Sequence, residues 1–157
     1  MDFTAPFFFC AKLHPRRPAL LWIGGGVSYA MLAGSVLTAA RRIYDAGVTR
    51  DDCVGIDIAS AHRHTVTMLA LMHLGVASVS LETGQRAAAE AAGVGVVIAD
   101  RPVAESRSRI LRTNETWFAP EAQASPLPAT GFVSENSLFR LKMTSGATGR
   151  PQAVPVT

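Results

Sequence analysis

The stretch from Cys53 to Ala99, CVGIDIASAHRHTVTMLALMHLGVASVSLETGQRAAAEAAGVGVVIA, switches back and forth between two hydrophobic periods. From Cys53 to Ile58 the apolar residues Val54, Ile56 and Ile58 share one side, the period of a strand. Residues 62–74 carry Val66, Met68, Leu69, Ala70, Leu71, Met72 and Leu74, apolar almost all round, with Gly75 beyond as a C-cap, and so predict a buried helix. Val76 to Leu81 reads as a further strand, Gln85 to Ala92 as a short alanine-rich helix stopped by Gly93, and Val94 to Ala99 as another strand. Strands alternating with helices predict a mostly parallel sheet with right-handed crossovers and flanking helices, an α/β fold.

Working outward toward the N-terminus, Tyr29, Leu32, Ala33, Val36, Leu37, Ala40, Ile43 and Tyr44 fall at helical spacing. Ser28 is the expected N-cap, Val27 and Leu32 the hydrophobic staple, Arg41 and Arg42 suit the dipole of the last turn, and Gly47 is the left-handed stop. Ahead of it, Ala19 to Ile23 reads as the first strand of the alternation. Gly24, Gly25 and Gly26 read as a turn, because residues without Cβ lose too much entropy inside a regular element. Residues 7–13 form a short apolar helix, and the prolines of His14-Pro15-Arg16-Arg17-Pro18 enforce an extended linker.

Toward the C-terminus, Arg109 to Thr113 is a strand candidate, and residues 118–137, rich in Pro, Ala and Ser without periodicity, read as a loop. Leu138 to Met143 alternates Phe139, Leu141 and Met143 against Arg140 and Lys142, a strand that the following Thr144 to Pro151 is not expected to continue.

At 157 residues, 48% apolar and 17% charged, the chain fits one domain with a core that needs neither disulfides nor metals. Its +3 charge comes from arginines and only two lysines, Lys12 and Lys142, with no dense basic run, which argues against nucleic-acid binding. Cys10 and Cys53 lie far apart without a zinc-type spacing and read as reduced thiols of a cytoplasmic protein. The uncharged runs 18–40 and 64–81 are long enough to span a bilayer, yet each is broken by glycines or polar residues and reads as two shorter elements.

Thr144-Ser145-Gly146-Ala147-Thr148-Gly149 concentrates hydroxyls and glycines directly after a strand. Glycine lets backbone N–H groups converge on an anion and hydroxyls add donors, so the segment suits phosphate, although the same composition also makes an ordinary turn. It is not the common P-loop, since Gly146 and Gly149 are three apart with Arg150 and Pro151 following. Other candidates are weaker. His62, His64 and His73 have no carboxylate or cysteine at metal spacing. The Gly24–Gly26 run lacks the third glycine of a dinucleotide fingerprint, with Tyr29 in its place, and reads as a hairpin turn. Ser28 and Ser60 lack a nucleophile-elbow context, and Asp57 reads as a solvated or capped acid at a strand end.

The run Met143 to Val154 closely resembles the phosphate-loop signature of the adenylate-forming enzymes: acyl-CoA synthetases, luciferase-like enzymes and peptide-synthetase adenylation domains. Arg17-Pro18-Ala19-Leu20, Val27 to Leu32, Asp52 to Ile56 and Ala70 to Val76 resemble successive blocks of the same family in the same order. The resemblance implies that the chain, residues 1–157, is part of an N-terminal AMP-binding domain. Its first lobe would end just after a phosphate-binding loop at 144–152, with the remainder of the adenylating enzyme as its missing partner. It implies activation of a small-molecule carboxylic acid by ATP and Mg²⁺ to an acyl-adenylate and pyrophosphate, then acyl transfer, with coenzyme A as the expected acceptor. By the same resemblance, Thr144, Ser145, Gly146, Ala147, Thr148, Gly149 and Gln152 would contact the ATP phosphates.

Two positions depart from the family: Gln152 replaces the usual lysine and Ala147 a common Ser or Thr. A missing cation forfeits a charge-assisted contact of about 1.5 to 3 kcal/mol, for which Arg150 is either a partial replacement or a solvated neighbour. The family's adenine pocket, ribose-binding aspartate, hinge and mobile lysine lie beyond this loop, so the piece alone is expected to be inactive. The rival expectation is a non-catalytic α/β binding or scaffold module, a degenerate relative that has lost ATP use.

Overall fold

The structure, a computed structural model, describes residues 2–82, 85–103, 106–120, 127, 131–134, 136–145 and 151–157, with only the backbone described at 145, 151 and 152. Helix α1 (Ala5–Leu13) leads into a hairpin of β1 (Pro18–Trp22) and β2 (Gly25–Ser28), and then α2 (Tyr29–Asp45). The central run follows as β3 (Cys53–Asp57), α3 (Ala61–Leu74), β4 (Ala77–Ser80), α4 (Arg86–Ala91) and β5 (Val96–Ala99). It continues through β6 (Arg109–Arg112), a 3₁₀ turn at Glu115–Trp117, β7 (Arg140–Ser145) and β8 (Pro151–Val156).

Six strands form one sheet in the order β6-β5-β3-β4-β7-β8, in which all pairings are parallel except the last, β7 with β8. The α/β expectation holds. Strand β5 shows why both faces are covered: Val96 and Ile98 join the core under α2 and α3, while Val97 and Ala99 join a second core with Ala89 of α4. Such two-sided burial is what a continuous apolar strand reads as.

The local signals for the helices act as expected. The Ser28 hydroxyl accepts from the Met31 amide at 3.3 Å, and Val27 packs on the cluster that contains Leu32. Gly47, Gly75 and Gly93 hold φ of +77°, +73° and +95° at the three stops. The buried face of α2 is wider than the apolar stripe predicts, because Ser35 and Thr38 are buried too while Tyr44 is exposed. Their hydroxyls are satisfied by carbonyls, Ser35 donating to Phe118 at 2.6 Å and Thr38 to Gly34 at 3.1 Å. Among the described residues no helix is long and apolar enough to cross a membrane.

Three expectations need correction. The strand expected at Ala19–Ile23 is not part of the parallel sheet: β1 pairs with β2 in a separate antiparallel hairpin. Gly25 and Gly26 lie within β2 rather than in a turn, which is the two residues Ile23 and Gly24, the latter at φ +86°. Packing outweighs entropy here, since a Cβ on Gly26 would lie 2.8 Å from the Leu20 carbonyl oxygen and one on Gly25 would lie 3.0 Å from Trp22 Nε1. Finally, β7 continues through Thr144 and Ser145, which pair with Gln152 and Pro151 of β8. The described parts of 118–137 contain no helix or strand, and in them Phe118 and Phe132 are buried while Val133 is exposed. The Gly131 amide donates to the His73 carbonyl at 2.7 Å, and the Phe132 ring meets Phe3 and Phe139 at 5.7 and 5.5 Å.

Candidate functional site

Of the residues expected to bind phosphate, three lie in the paired strands of the β7–β8 hairpin. Thr144 and Ser145 close β7 and Gln152 lies in β8, while Gly146, Ala147, Thr148 and Gly149 lie outside the described residues. The register places this hairpin relative to the sheet. Arg140 stands opposite Ser78, β4 ends two residues later at Ser80, and β7 runs five residues past Arg140 to Ser145. The hairpin therefore projects about three residues, or roughly 10 Å, beyond the carboxyl end of β4. That is the side on which open α/β sheets bind ligands.

At the root of the hairpin three side chains converge that sequence reading did not connect. The Arg140 guanidinium donates to Ser80 Oγ at 2.7 Å and reaches Met68 Sδ at 3.1 Å, and His64 Nε2 lies 2.8 Å from the same Ser80 oxygen. Arginine has only N–H groups to give, so the Ser80 oxygen accepts from Arg140, and a neutral His64 with its proton on Nδ1 would take the Ser80 hydrogen at Nε2. The surroundings of His64 favour its neutral ring. Burial lowers its pKa, Arg140 lowers it further, and a backbone hydrogen bond at Ile58 opposes both. A cavity of about 120 Å³ opens beside them, between Ser80, Glu82 and Gln85 on one side and Arg140 to Met143 on the other. The alternation of Arg140 against apolar neighbours hinted at a polar face, but its partners lie 60 and 72 positions away.

The sheet reverses its winding between β3 and β5, and this crevice holds a cluster of charges. Asp57, at the end of β3, is 4% exposed, so of its two expected states, solvated or capped, the structure shows the second. Its carboxylate accepts from Arg86 Nη2 at 2.6 Å and from Arg101 at 2.5 Å (Nη2) and 3.0 Å (Nε). One arginine starts α4 and the other follows β5, so the pair ties both connections to the middle of the sheet. Next to it, Asp100 Oδ1 accepts from the Ala59 amide at 3.3 Å.

Two further histidines, His62 and His73, are partly buried. His62 stacks on Trp22 at 5.5 Å beside a cleft of about 480 Å³ between Leu20–Trp22 and the first turn of α3. Its Nε2 is buried without a protein partner. His73 Nδ1 lies 3.0 Å from Thr4 Oγ1. Burial lowers the pKa of both rings. Among the described residues no group of three or more His, Cys, Asp or Glu could hold a metal. Both cysteines are free, and burial raises Cys53 to about 11, which leaves it an inert thiol.

Residues 7–157 match the family described as AMP-binding enzyme. Pyochelin synthetase PchE of Pseudomonas aeruginosa is 28% identical over 156 residues, covering 96% of this chain and 10% of that protein. A salicyl-AMP ligase / salicyl-S-ArCP synthetase of Mycobacterium tuberculosis is 28% identical over 177 residues, covering 94% and 31%. Among solved structures, the N-terminal subdomain of NpsA from Klebsiella oxytoca, in complex with 3-hydroxybenzoyl-AMSN, superposes with a TM-score of 0.84 at 24% identity. It covers 99% of this chain and 41% of that one. The chain thus spans well under half the length of each of these proteins. With a family match over almost its whole length and the same sheet, the chain belongs to the AMP-binding enzymes.

Proposed function

We propose that this chain is the part of an AMP-forming ligase that receives the ATP phosphates during activation of a carboxylic acid. The observation that carries the reading is the family match over residues 7–157, which ends on the hairpin. The Thr144 and Ser145 hydroxyls, with the amides around Gly146 and Gly149 and the Thr148 hydroxyl, would hold the β and γ phosphates. They would stabilise charge on pyrophosphate as it leaves, the usual role of fixed donors aimed at developing charge. A Mg²⁺ ion normally takes one or two carboxylates and several substrate oxygens, so it would enter with the nucleotide. The carboxylate oxygen of the acid attacks the α phosphorus, the bond to the bridging oxygen breaks, and pyrophosphate carries away the electron pair.

Acyl transfer to a thiol follows in this reading, with coenzyme A as the acceptor expected from the family resemblance. The relative whose name joins salicyl-AMP ligase to salicyl-S-ArCP synthetase makes ArCP the competing acceptor. Hydroxybenzoic acids are the first substrates to try, given the salicyl and 3-hydroxybenzoyl groups in the names of two relatives.

Pyrophosphate exchange into ATP tests the first step, with a panel of aryl and aliphatic acids offered to the 157-residue chain and to the product of the whole reading frame that carries it. Acid-dependent exchange by the latter, absent from the short chain, is expected. No exchange with any acid, and no ATP binding by either protein, would favour a scaffold that has lost ATP use. Mass spectrometry of acyl-CoA and acyl-ArCP products then identifies the acceptor.

A further inference from the structure

The β7–β8 hairpin is weakly sewn to the sheet it extends. Among the described residues the β4–β7 ladder has one register pair, Ser78 with Arg140, whereas β3 makes four with β4 and four with β5. What else holds its root is side-chain chemistry. Arg140, the first residue of β7, reaches across to Ser80, the last of β4, and to Met68 of α3, and Ser80 passes the contact on to His64 of α3. Three elements meet on one hydroxyl, five residues before the end of the strand that leads into the turn.

We propose that His64, Ser80 and Arg140 form a positioning relay that sets the β7–β8 hairpin against the sheet, and through Thr144 and Ser145 the start of the phosphate loop. The inference rests on the ATP reading above for its functional half only. The relay works because Ser80 Oγ stands between the two side chains: it accepts from Arg140 and can donate to a neutral His64. A proton on His64 Nε2 breaks that order, since it removes the acceptor for the Ser80 hydrogen and sets a second cation against Arg140 across one oxygen. Arg140, from β7, is the charged group that acts on His64. Acid should therefore loosen the hairpin before the sheet.

Hydrogen exchange with mass spectrometry on the 157-residue chain tests this from about pH 7.5 to about pH 4.5, with rates corrected for intrinsic exchange. Ser80→Ala is expected to speed exchange in peptides covering 140–145 and 151–156 by about tenfold or more, while β3 and β5 peptides hold. Acid has the same effect on the native chain but not on His64→Gln, whose side-chain oxygen still accepts from Ser80 and does not titrate. Hairpin exchange that is equal in the native chain and Ser80→Ala, and flat with pH, overturns the relay. Should Ser80→Ala loosen β3 and β5 as well, the acid comparison between the native chain and His64→Gln decides. In the exchange assay on the whole protein, Ser80→Ala should raise KM for ATP about tenfold and leave KM for the acid alone. A loosened hairpin with unchanged KM for ATP overturns the link to the nucleotide. Absence of activity in the native protein overturns the ATP reading and leaves the hydrogen-exchange result to judge the relay.

Discussion

Gly75 and Gly131 meet backbone to backbone: a Cβ placed on Gly75 would lie 2.1 Å from the Gly131 carbonyl oxygen. Gly75 also holds φ +73°, so it closes α3 in the left-handed region and lets the 131–134 segment lie on the helix end, where the Gly131 amide donates to His73. Gly75→Ala meets both a strained backbone and a clash, and is expected to cost about 3 kcal/mol. Thermal unfolding should show a drop of roughly 10 °C for a domain of this size. An unchanged midpoint would mean that the 131–134 segment does not pack there.

Asp57 is a buried acid between two arginines that are themselves partly open to solvent, at 26% for Arg86 and 48% for Arg101. Asp57→Asn leaves two cations facing a neutral amide and is expected to cost about 2 to 3 kcal/mol, below the full penalty of a broken buried pair because water reaches the arginines. Arg86→Ala should cost more than Arg101→Ala, since the Arg86 side chain is the more buried. Urea unfolding of the three variants checks the order, and a silent Asp57→Asn would sink it.

Burial lowers the pKa of His62, His64 and His73, so the folded protein resists protonating rings that the unfolded chain protonates readily. Between the ordinary imidazole value of about 6.5 and the lower folded values, the unfolded state binds more protons. Stability contributed by the neutral rings is therefore complete above about pH 6.5 and is lost as pH falls toward the folded values. Urea midpoints measured through this range should decline, and His64→Gln with His73→Gln should flatten the decline. A midpoint independent of pH in that window would contradict it.

Strand β8 is an outer edge of the sheet, where Pro151 and Pro155 withhold two N–H groups while apolar side chains stay open to solvent. β8 presents Val154 and Val156 at 45% and 40% exposure, and the tip of the first hairpin presents Ile23 fully exposed. Apolar edge strands template pairing with other chains, so the 157-residue chain should self-associate at micromolar concentration, and Val154→Lys with Val156→Lys should suppress this. Static light scattering giving a monomer for the native chain would show that the edge is closed.

The sequence by itself settled the elements whose signals are local. Ser28, Gly47, Gly75 and Gly93 punctuate helices through hydrogen bonds and φ values set within a turn of chain, and the alternation of helices with the strands Cys53–Ile58, Val76–Leu81 and Val94–Ala99 announces a mostly parallel sheet. The hydroxyl-and-glycine run at 144–149 marked a candidate phosphate loop, and resemblance over Met143 to Val154 and the blocks before it supplied the family. Where contacts between distant positions decide, the reading failed or was silent. Only the fold shows that β1 turns away into its own hairpin, that the Leu20 carbonyl leaves no room for a Cβ on Gly26, and that two arginines cap Asp57. The His64–Ser80–Arg140 contact was equally out of reach, because a register pairing of β4 with β7 brings together residues 60 positions apart. Local propensity carries no information about such a meeting.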